Sequence, residues 1–184
     1  MSKPLLIVVT GRPASGKTTL SQILSSEIKC PLLSRDRLKE GYVNSLQSHH
    51  NHLPPTALQD IYALFFQTIE LFLSKNISLV AEAAFQHKLW LPRLTPLADI
   101  ADIRIIICDI DPELARNRFI DRMTTDPDRE RFHGDGAELL QHPDDSLLTA
   151  YKAPDLPVPT LTVNTAERYT PDIESIVQFI LQNR

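Results

Sequence analysis

Strands alternating with helices on either side of a glycine-rich loop predict a three-layer α/β domain with a central, mostly parallel five-stranded sheet. Three observations carry this expectation. Pro4-Leu5-Leu6-Ile7-Val8-Val9-Thr10 is a continuous apolar run ending at glycine, the pattern of a strand covered on both faces. Apolar stripes at three- and four-residue spacing, those of helices, separate it from later apolar runs. A chain of 184 residues is the size of one domain and can bury its core without disulfides or metals.

The first helix is expected from about Lys17 to Lys29, with Leu20, Ile23, Leu24 and Ile28 as its apolar stripe. Pro31-Leu32-Leu33-Ser34 is a short second strand, and the charged segment Arg35 to Glu40 leaves the sheet's carboxyl edge as helix or loop. Residues 41–75 form a helical region on the acceptor side. Within it Pro54-Pro55 precedes Thr56, which makes a capping-box pattern with Gln59, and Leu58, Ile61, Tyr62, Phe65, Ile69 and Phe72 continue as the stripe of the longest helix. Ile77 to Phe85 and Ile103 to Cys108 are further buried strands, and the helix between them, His87 to Ala98, is interrupted at Pro92 and Pro96. Asp111-Pro112-Glu113 starts a helix that runs to about Met123: an N-cap acid, proline in the first turn, and a carboxylate beside it. Residues 124–156 turn polar and are expected as a mobile, lid-like excursion. Thr160 to Val163 supplies the last strand, and Pro171 opens the closing helix through Ile173, Ile176, Val177 and Ile180.

Composition narrows the classes. The chain is 42% hydrophobic and 23% charged, with no apolar run long enough for a bilayer and no pattern of an export signal, so no membrane association is expected. Cys30 and Cys108 are far apart and lack metal-ligand spacing; reduced thiols and a cytoplasmic setting follow. A net charge of −4 argues against duplex nucleic acid as a partner, and no obligate protein partner is evident.

The loop Gly11-Arg12-Pro13-Ala14-Ser15-Gly16-Lys17-Thr18, followed by Thr19, has the spacing of a phosphate-binding loop. Wrapping backbone N–H groups round a polyanion requires glycine where the chain turns and approaches closely, at Gly11 and Gly16. Lys17 supplies a point charge for the β- and γ-phosphates and Thr18 a hydroxyl ligand for Mg²⁺, while the helix that follows directs its positive end at the same anion. ATP with Mg²⁺ is the expected ligand, and the fold is expected to be that of the P-loop NTPases.

Other residues bear on whether phosphate is transferred. Asp36 either takes the proton of an acceptor hydroxyl or caps the helix that follows it. Arg35 and Lys39 beside it are acceptor-binding candidates. Glu82, inside an apolar strand, needs a partner, which is either the acceptor side of the site or a structural cation. At about 100° per residue from Leu114, Arg118 and Arg122 fall near 40° and 80°, between Leu114 and Phe119, so both point inward, toward an anion or past the stripe to water or Asp121. Arg129, Arg131 and His133 are either lid residues or part of a solvated loop, and His49, His50 and His52 read as an exposed loop or pocket rim.

The loop Gly11 to Thr18, the segment Ser34-Arg35-Asp36, the strand with Glu82 and the helix Arg116-Asn117-Arg118-Phe119-Ile120-Asp121-Arg122 together resemble the small P-loop kinases. The likeness extends over nearly the whole chain. It is nearest to a broad group of AAA-type ATP-binding kinases, similar to the polynucleotide kinase domain, chloramphenicol phosphotransferase and zeta-toxin kinases. The resemblance implies that Asp36 is the base, that Glu82 binds or orients the acceptor, and that Arg118 or Arg122 serves the lid; Lys17 is expected to be catalytic by neutralising charge on the γ-phosphate. Polynucleotide kinases of this kind tend to have arginine where this chain has Lys39, and lysine lacks the bidentate fork. The expected activity is transfer of the γ-phosphate of ATP to a hydroxyl of a small molecule or nucleic-acid end. The alternatives are an ATP-binding switch without an acceptor and a 5′-hydroxyl polynucleotide kinase.

Overall fold

The computed structural model describes residues 2–84, 87–126, 128–134 and 151–182. Its strands are β1 (Leu5–Gly11), β2 (Leu32–Ser34), β3 (Leu79–Glu82), β4 (Asp102–Asp109) and β5 (Thr160–Asn164). They form one five-stranded sheet in the order β2-β3-β1-β4-β5, and every pairing is parallel, so the sheet is more uniform than "mostly parallel". The helices are α1 (Lys17–Ile28), α2 (Arg35–Ser45), α3 (Ala57–Ser74), α4 (His87–Leu94), α5 (Pro112–Thr125), α6 (Arg129–His133) and α7 (Ile173–Leu181), with short 3-10 turns at His50–His52 and Thr95–Asp99.

The pleat of β1 explains the three layers. Leu6 and Val8 face one side and join Phe65, Phe66 and Ile69 of α3 and Trp90 and Leu94 of α4. Leu5, Ile7 and Val9 face the other and meet Leu20 and Leu24 of α1 with Ile176 and Ile180 of α7. β1 lies at the centre; the chain passes from it to β2 and β3 on one side and then crosses to β4 and β5 on the other, and the glycine loop emerges at the carboxyl end of β1.

Several boundaries differ from the sequence reading for local reasons. β3 is shorter than Ile77 to Phe85: Ile77 is exposed, and Phe85 lies outside the described residues. α3 begins after Thr56, but no capping box forms; the Thr56 hydroxyl donates to Asp60 at 3.0 Å, and Leu58 is exposed while Phe66 takes its place inside. Pro92 sits within α4 without ending it, whereas Pro96 marks the start of a tighter 3-10 turn. The closing helix is capped by the Asp172 side chain, which accepts from Ser175 N–H, so Pro171 precedes the helix instead of opening it. Asp111 caps α5 as expected, accepting from the N–H groups of Glu113 and Leu114. Both cysteines are free thiols; Cys108 is buried but Cys30 only half-buried. Among the described residues no helix is long and apolar enough to cross a membrane. Residues 135–150, the middle of the anticipated excursion, lie outside the described residues.

Phe65 is fully buried in the α3 layer and Leu58 is not, although both fit the sequence stripe. Phe65→Ala should cost about 3 to 5 kcal/mol of unfolding free energy, and Leu58→Ala within about 0.5 kcal/mol of none. Urea denaturation of the two variants measures the difference.

Candidate active site

β1 ends at Gly11, paired with Cys108 of β4, and the chain turns at once into the loop. Gly11 has φ 153°, and a Cβ there would stand 2.4 Å from the Cys108 carbonyl oxygen and 2.5 Å from Ser15 Oγ, so a side chain does not fit. Ala14 at φ 59° and Gly16 at φ 81° curl the loop so that α1 starts directly at Lys17. Gly16 is the N-cap, no side chain caps the helix, and its first turn contains no acidic residue. The leading N–H groups and the positive helix end are therefore left for an external anion. Ser15 Oγ is buried and has no hydrogen-bond partner among the described residues, as expected of a cradle shaped for a ligand. The loop is braced from β5 by Thr165, whose hydroxyl donates to the Ser15 carbonyl at 2.6 Å.

Lys17 is 8% exposed, and its ammonium donates to the Arg12 carbonyl at 2.8 Å. Burial lowers its pKa, and the negative charge of Glu82 works in the opposite direction. Glu82, the last residue of β3, is 1% exposed. Its partner is not a cation but Ser34, whose hydroxyl donates to Glu82 Oε2 at 2.6 Å. Burial raises the Glu82 pKa despite this bond and the nearby Lys17.

Ser34 ends β2 and is the N-cap of α2, accepting from Arg37 N–H at 3.5 Å. Asp36 therefore does not cap the helix; it occupies the first turn, beside Arg35 Nη2 at 3.3 Å. Loss of solvent disfavours its charge, but Arg35, His133, Lys17 and Lys39 outweigh that loss and hold the carboxyl below the usual range.

A cavity of about 570 Å³ joins these groups. Pro13, Ala14, Gly16, Lys17, Thr18 and Thr19 line one side; Arg35, Asp36 and Lys39, with Glu82, line another; Phe119, Arg122, Arg129 and His133 close a third. Thr18 and Thr19 are exposed to it. The two inward arginines of α5 part company: Arg118 donates to the carbonyls of Thr165 and Ala166, the former at 3.2 Å, and does not line the cavity. Arg122 does line it, and its guanidinium makes no hydrogen bond or ion pair with another described residue. Partial loss of solvent, Arg129 and Arg118 depress its pKa, against the opposing charges of Asp36 and Glu82, so positive charge is concentrated on this side of the cavity. Arg129 stands over the Phe119 ring at 5.4 Å.

α6 folds back on α2: Lys39 Nζ donates to the His133 carbonyl at 3.3 Å, His133 Nε2 lies 3.2 Å from Glu40 Oε1, and Arg131 Nε donates to the Ser48 carbonyl at 3.3 Å. His50 packs near Gly134, and no group of three metal-ligating side chains occurs among the described residues. Ser34 carried a legible signal, a serine directly before a charged helical run. Thr165, and Tyr151, whose hydroxyl is 2.8 Å from that of Thr10, carried none, because their contacts cross most of the chain.

Fold and site together define a kinase-like P-loop domain. The chain belongs to the AAA domain family, whose model matches residues 6–141. Among solved structures it is similar to a candidate kinase from Chloroflexus aurantiacus j-10-fl, with 27% identity, all of both chains covered and a TM-score of 0.83. A gluconokinase from Sinorhizobium meliloti 1021 shares 17% identity over 98% of this chain and 93% of that one, with a TM-score of 0.61. The APS kinase of Mycobacterium tuberculosis, solved with AMPPNP and APS, shares 15% over 98% and 97%, with a TM-score of 0.63. The last two likenesses are of fold. A search of curated proteins finds no match.

The two carboxyls of the site should titrate in opposite directions. Carboxyl ¹³C NMR should place Asp36 below its ordinary 3.8 and Glu82 above its ordinary 4.5. Asp36, depressed in the fold, contributes stability that is lost as pH falls through its folded value; Glu82, raised in the fold, contributes stability that is lost as pH rises through its own. Glu82→Gln should accordingly flatten the decline in melting temperature above the ordinary carboxylate range, and an unchanged profile would refute the assignment.

Proposed function

We propose that this protein is an ATP- and Mg²⁺-dependent kinase that transfers the γ-phosphate to a hydroxyl acceptor. The observation that carries the reading is that Asp36 faces the phosphate loop across one cavity, with Lys17 and Thr18 on the donor side and Arg35 and Lys39 beside Asp36. A switch that only binds and hydrolyses nucleotide does not require a second charged wall of this kind.

The donor side fits a nucleoside triphosphate: uncapped N–H groups at α1, two glycines in positive φ and a buried lysine. Thr18 would hold the metal. An exposed hydroxyl with no cluster of three metal-ligating side chains among the described residues suits Mg²⁺, which keeps most of its ligands as water and phosphate oxygen. Bound there, the ion would neutralise charge on the phosphates.

Lys17 and Arg122 supply fixed positive charge to the transferring group, and Arg129 approaches from α6. The transition state of phosphoryl transfer is loose, so the acceptor needs orientation more than strong activation. A carboxylate with a depressed pKa remains ionised at neutral pH; it is a weak base, suited to orient the hydroxyl and to take its proton late in a loose transition state. Arg118, tied to the Thr165 and Ala166 carbonyls, supports the loop that braces Ser15 and acts on the donor side indirectly. The acceptor is a compound with a free hydroxyl; the chain's acidic balance of −4 favours a small molecule over a polynucleotide.

The reading is tested by ADP release from Mg-ATP over a panel of sugars, sugar acids, nucleosides and 5′-hydroxyl oligonucleotides, with Lys17→Ala as the blank. Asp36→Asn should remove acceptor-dependent release while ATP affinity changes by less than about threefold, because the carboxylate acts on the acceptor in the transition state and not on the donor. Undiminished transfer by Asp36→Asn rejects Asp36 as the base, and no acceptor-dependent rate anywhere in the panel favours a nucleotide switch over the kinase reading.

A further inference from the structure

We propose that Ser34 is a positioning residue for phosphoryl transfer, its hydroxyl seating the first turn of α2, and with it Asp36, on the buried carboxylate of Glu82. This rests on the reading of Asp36 as the base. The geometry begins with a limit on the serine: one hydroxyl carries one proton and offers its lone pairs as acceptors. That proton is given to Glu82 Oε2 at 2.6 Å. The lone pairs are then what Ser34 has for the Arg37 N–H, at 3.5 Å. One oxygen atom thus joins β3 to the amide of Arg37, the third residue of α2, and Arg35 and Asp36 lie between.

The β2–β3 ladder runs as far as Ser34 opposite Glu82, and the serine hydroxyl extends that connection into α2. β2 is a three-residue strand at the edge of the sheet, paired among the described residues with β3 alone, and its last residue is also the N-cap of α2. No linker separates strand from helix, so the direction in which α2 leaves the sheet is set at Ser34 together with the packing of Leu38 and Val43 further along the helix. Parallel register places Ser34 opposite Glu82, and Glu82 opposite Val9 of β1. The anchor is thereby referred to the strand that ends in the phosphate loop. Both members are buried, Ser34 at 7% and Glu82 at 1% exposure, while the Asp36 side chain is nearly half exposed. An exposed carboxylate has little packing of its own to fix it, and a displacement on the order of 1 Å from productive geometry is enough to cost about 100-fold in rate. Glu82 on this account acts through Ser34 and orients the base, not the acceptor.

The decisive pair is Ser34→Thr and Ser34→Val, which have the same shape and differ in the hydroxyl alone. Turnover is read as ADP release from Mg-ATP with water as acceptor, the seat as hydrogen exchange of the Arg37 amide, and the base as the ¹³C titration of Asp36. Ser34→Val should lower kcat about 100-fold at unchanged KM for ATP, and Ser34→Thr should bring it back to within about tenfold of wild type. In Ser34→Val the Arg37 amide should exchange faster and the Asp36 titration should rise, since the carboxyl moves away from Lys17, the cation among those that depress it that lies on the phosphate-loop side; in Ser34→Thr both should stay. A cap with a purely structural role would lower the melting temperature and leave the Asp36 titration and the kcat-to-KM split alone, which overturns the proposal, as does identical behaviour of the two variants. If the added methyl unfolds both, Ser34→Ala and Glu82→Gln against wild type decide by the same three signals. Should Asp36→Asn keep full turnover while the Arg37 amide still responds to Ser34, the base reading fails and the seating stands.

Discussion

A lysine ammonium buried at the positive end of a helix is the constraint around which the rest of this structure is arranged. Lys17 is 8% exposed and begins α1, whose leading N–H groups point the same way. Burial alone disfavours its charge, and the helix end adds to the excess. The protein answers with the Arg12 carbonyl and, at longer range, with Glu82 and Asp36. None of these satisfies the uncapped amides, so a large part of the compensating charge is left to a ligand with several negative oxygens.

The sheet makes that constraint tolerable. Parallel pairing brings β1, β3 and β4 to a common carboxyl edge, with Glu82 next to Val9 and Cys108 next to Gly11. Charges that are distant in sequence become neighbours while their backbones remain hydrogen-bonded. Glycine at position 11 then lets the chain pass between the Cys108 carbonyl and Ser15 without a side chain. The loop is held from below by the strand and from the side by Thr165 of the β5 segment, so its shape does not depend on the ligand alone.

Opposite the loop, α2, α5 and α6 assemble a second wall. α5 offers Arg122 to the cavity and uses Arg118 to hold the loop after β5, a division of labour between two residues one helical turn apart. α6 rests on α2 through Lys39, Glu40 and His133. The helix that carries Asp36 therefore also carries the platform for Arg129, and motion of one is felt by the other.

Local rules made much of this legible from sequence. The glycine loop, the capped start of α5 at Asp111 and the apolar strands depend on spacing within a few residues, and short-range sterics and hydrogen bonding fix them wherever they occur. The same rules misplaced Leu58, Thr56 and Pro171, because which face of a helix is buried, and which of several candidate caps is used, depends on what packs against it. The partner of Glu82, the separate tasks of Arg118 and Arg122, and the brace from Thr165 to Ser15 arose only in three dimensions. Each joins residues separated by 47 to 150 positions, and pairings of that range are set by strand order and register, which no local window of the sequence contains.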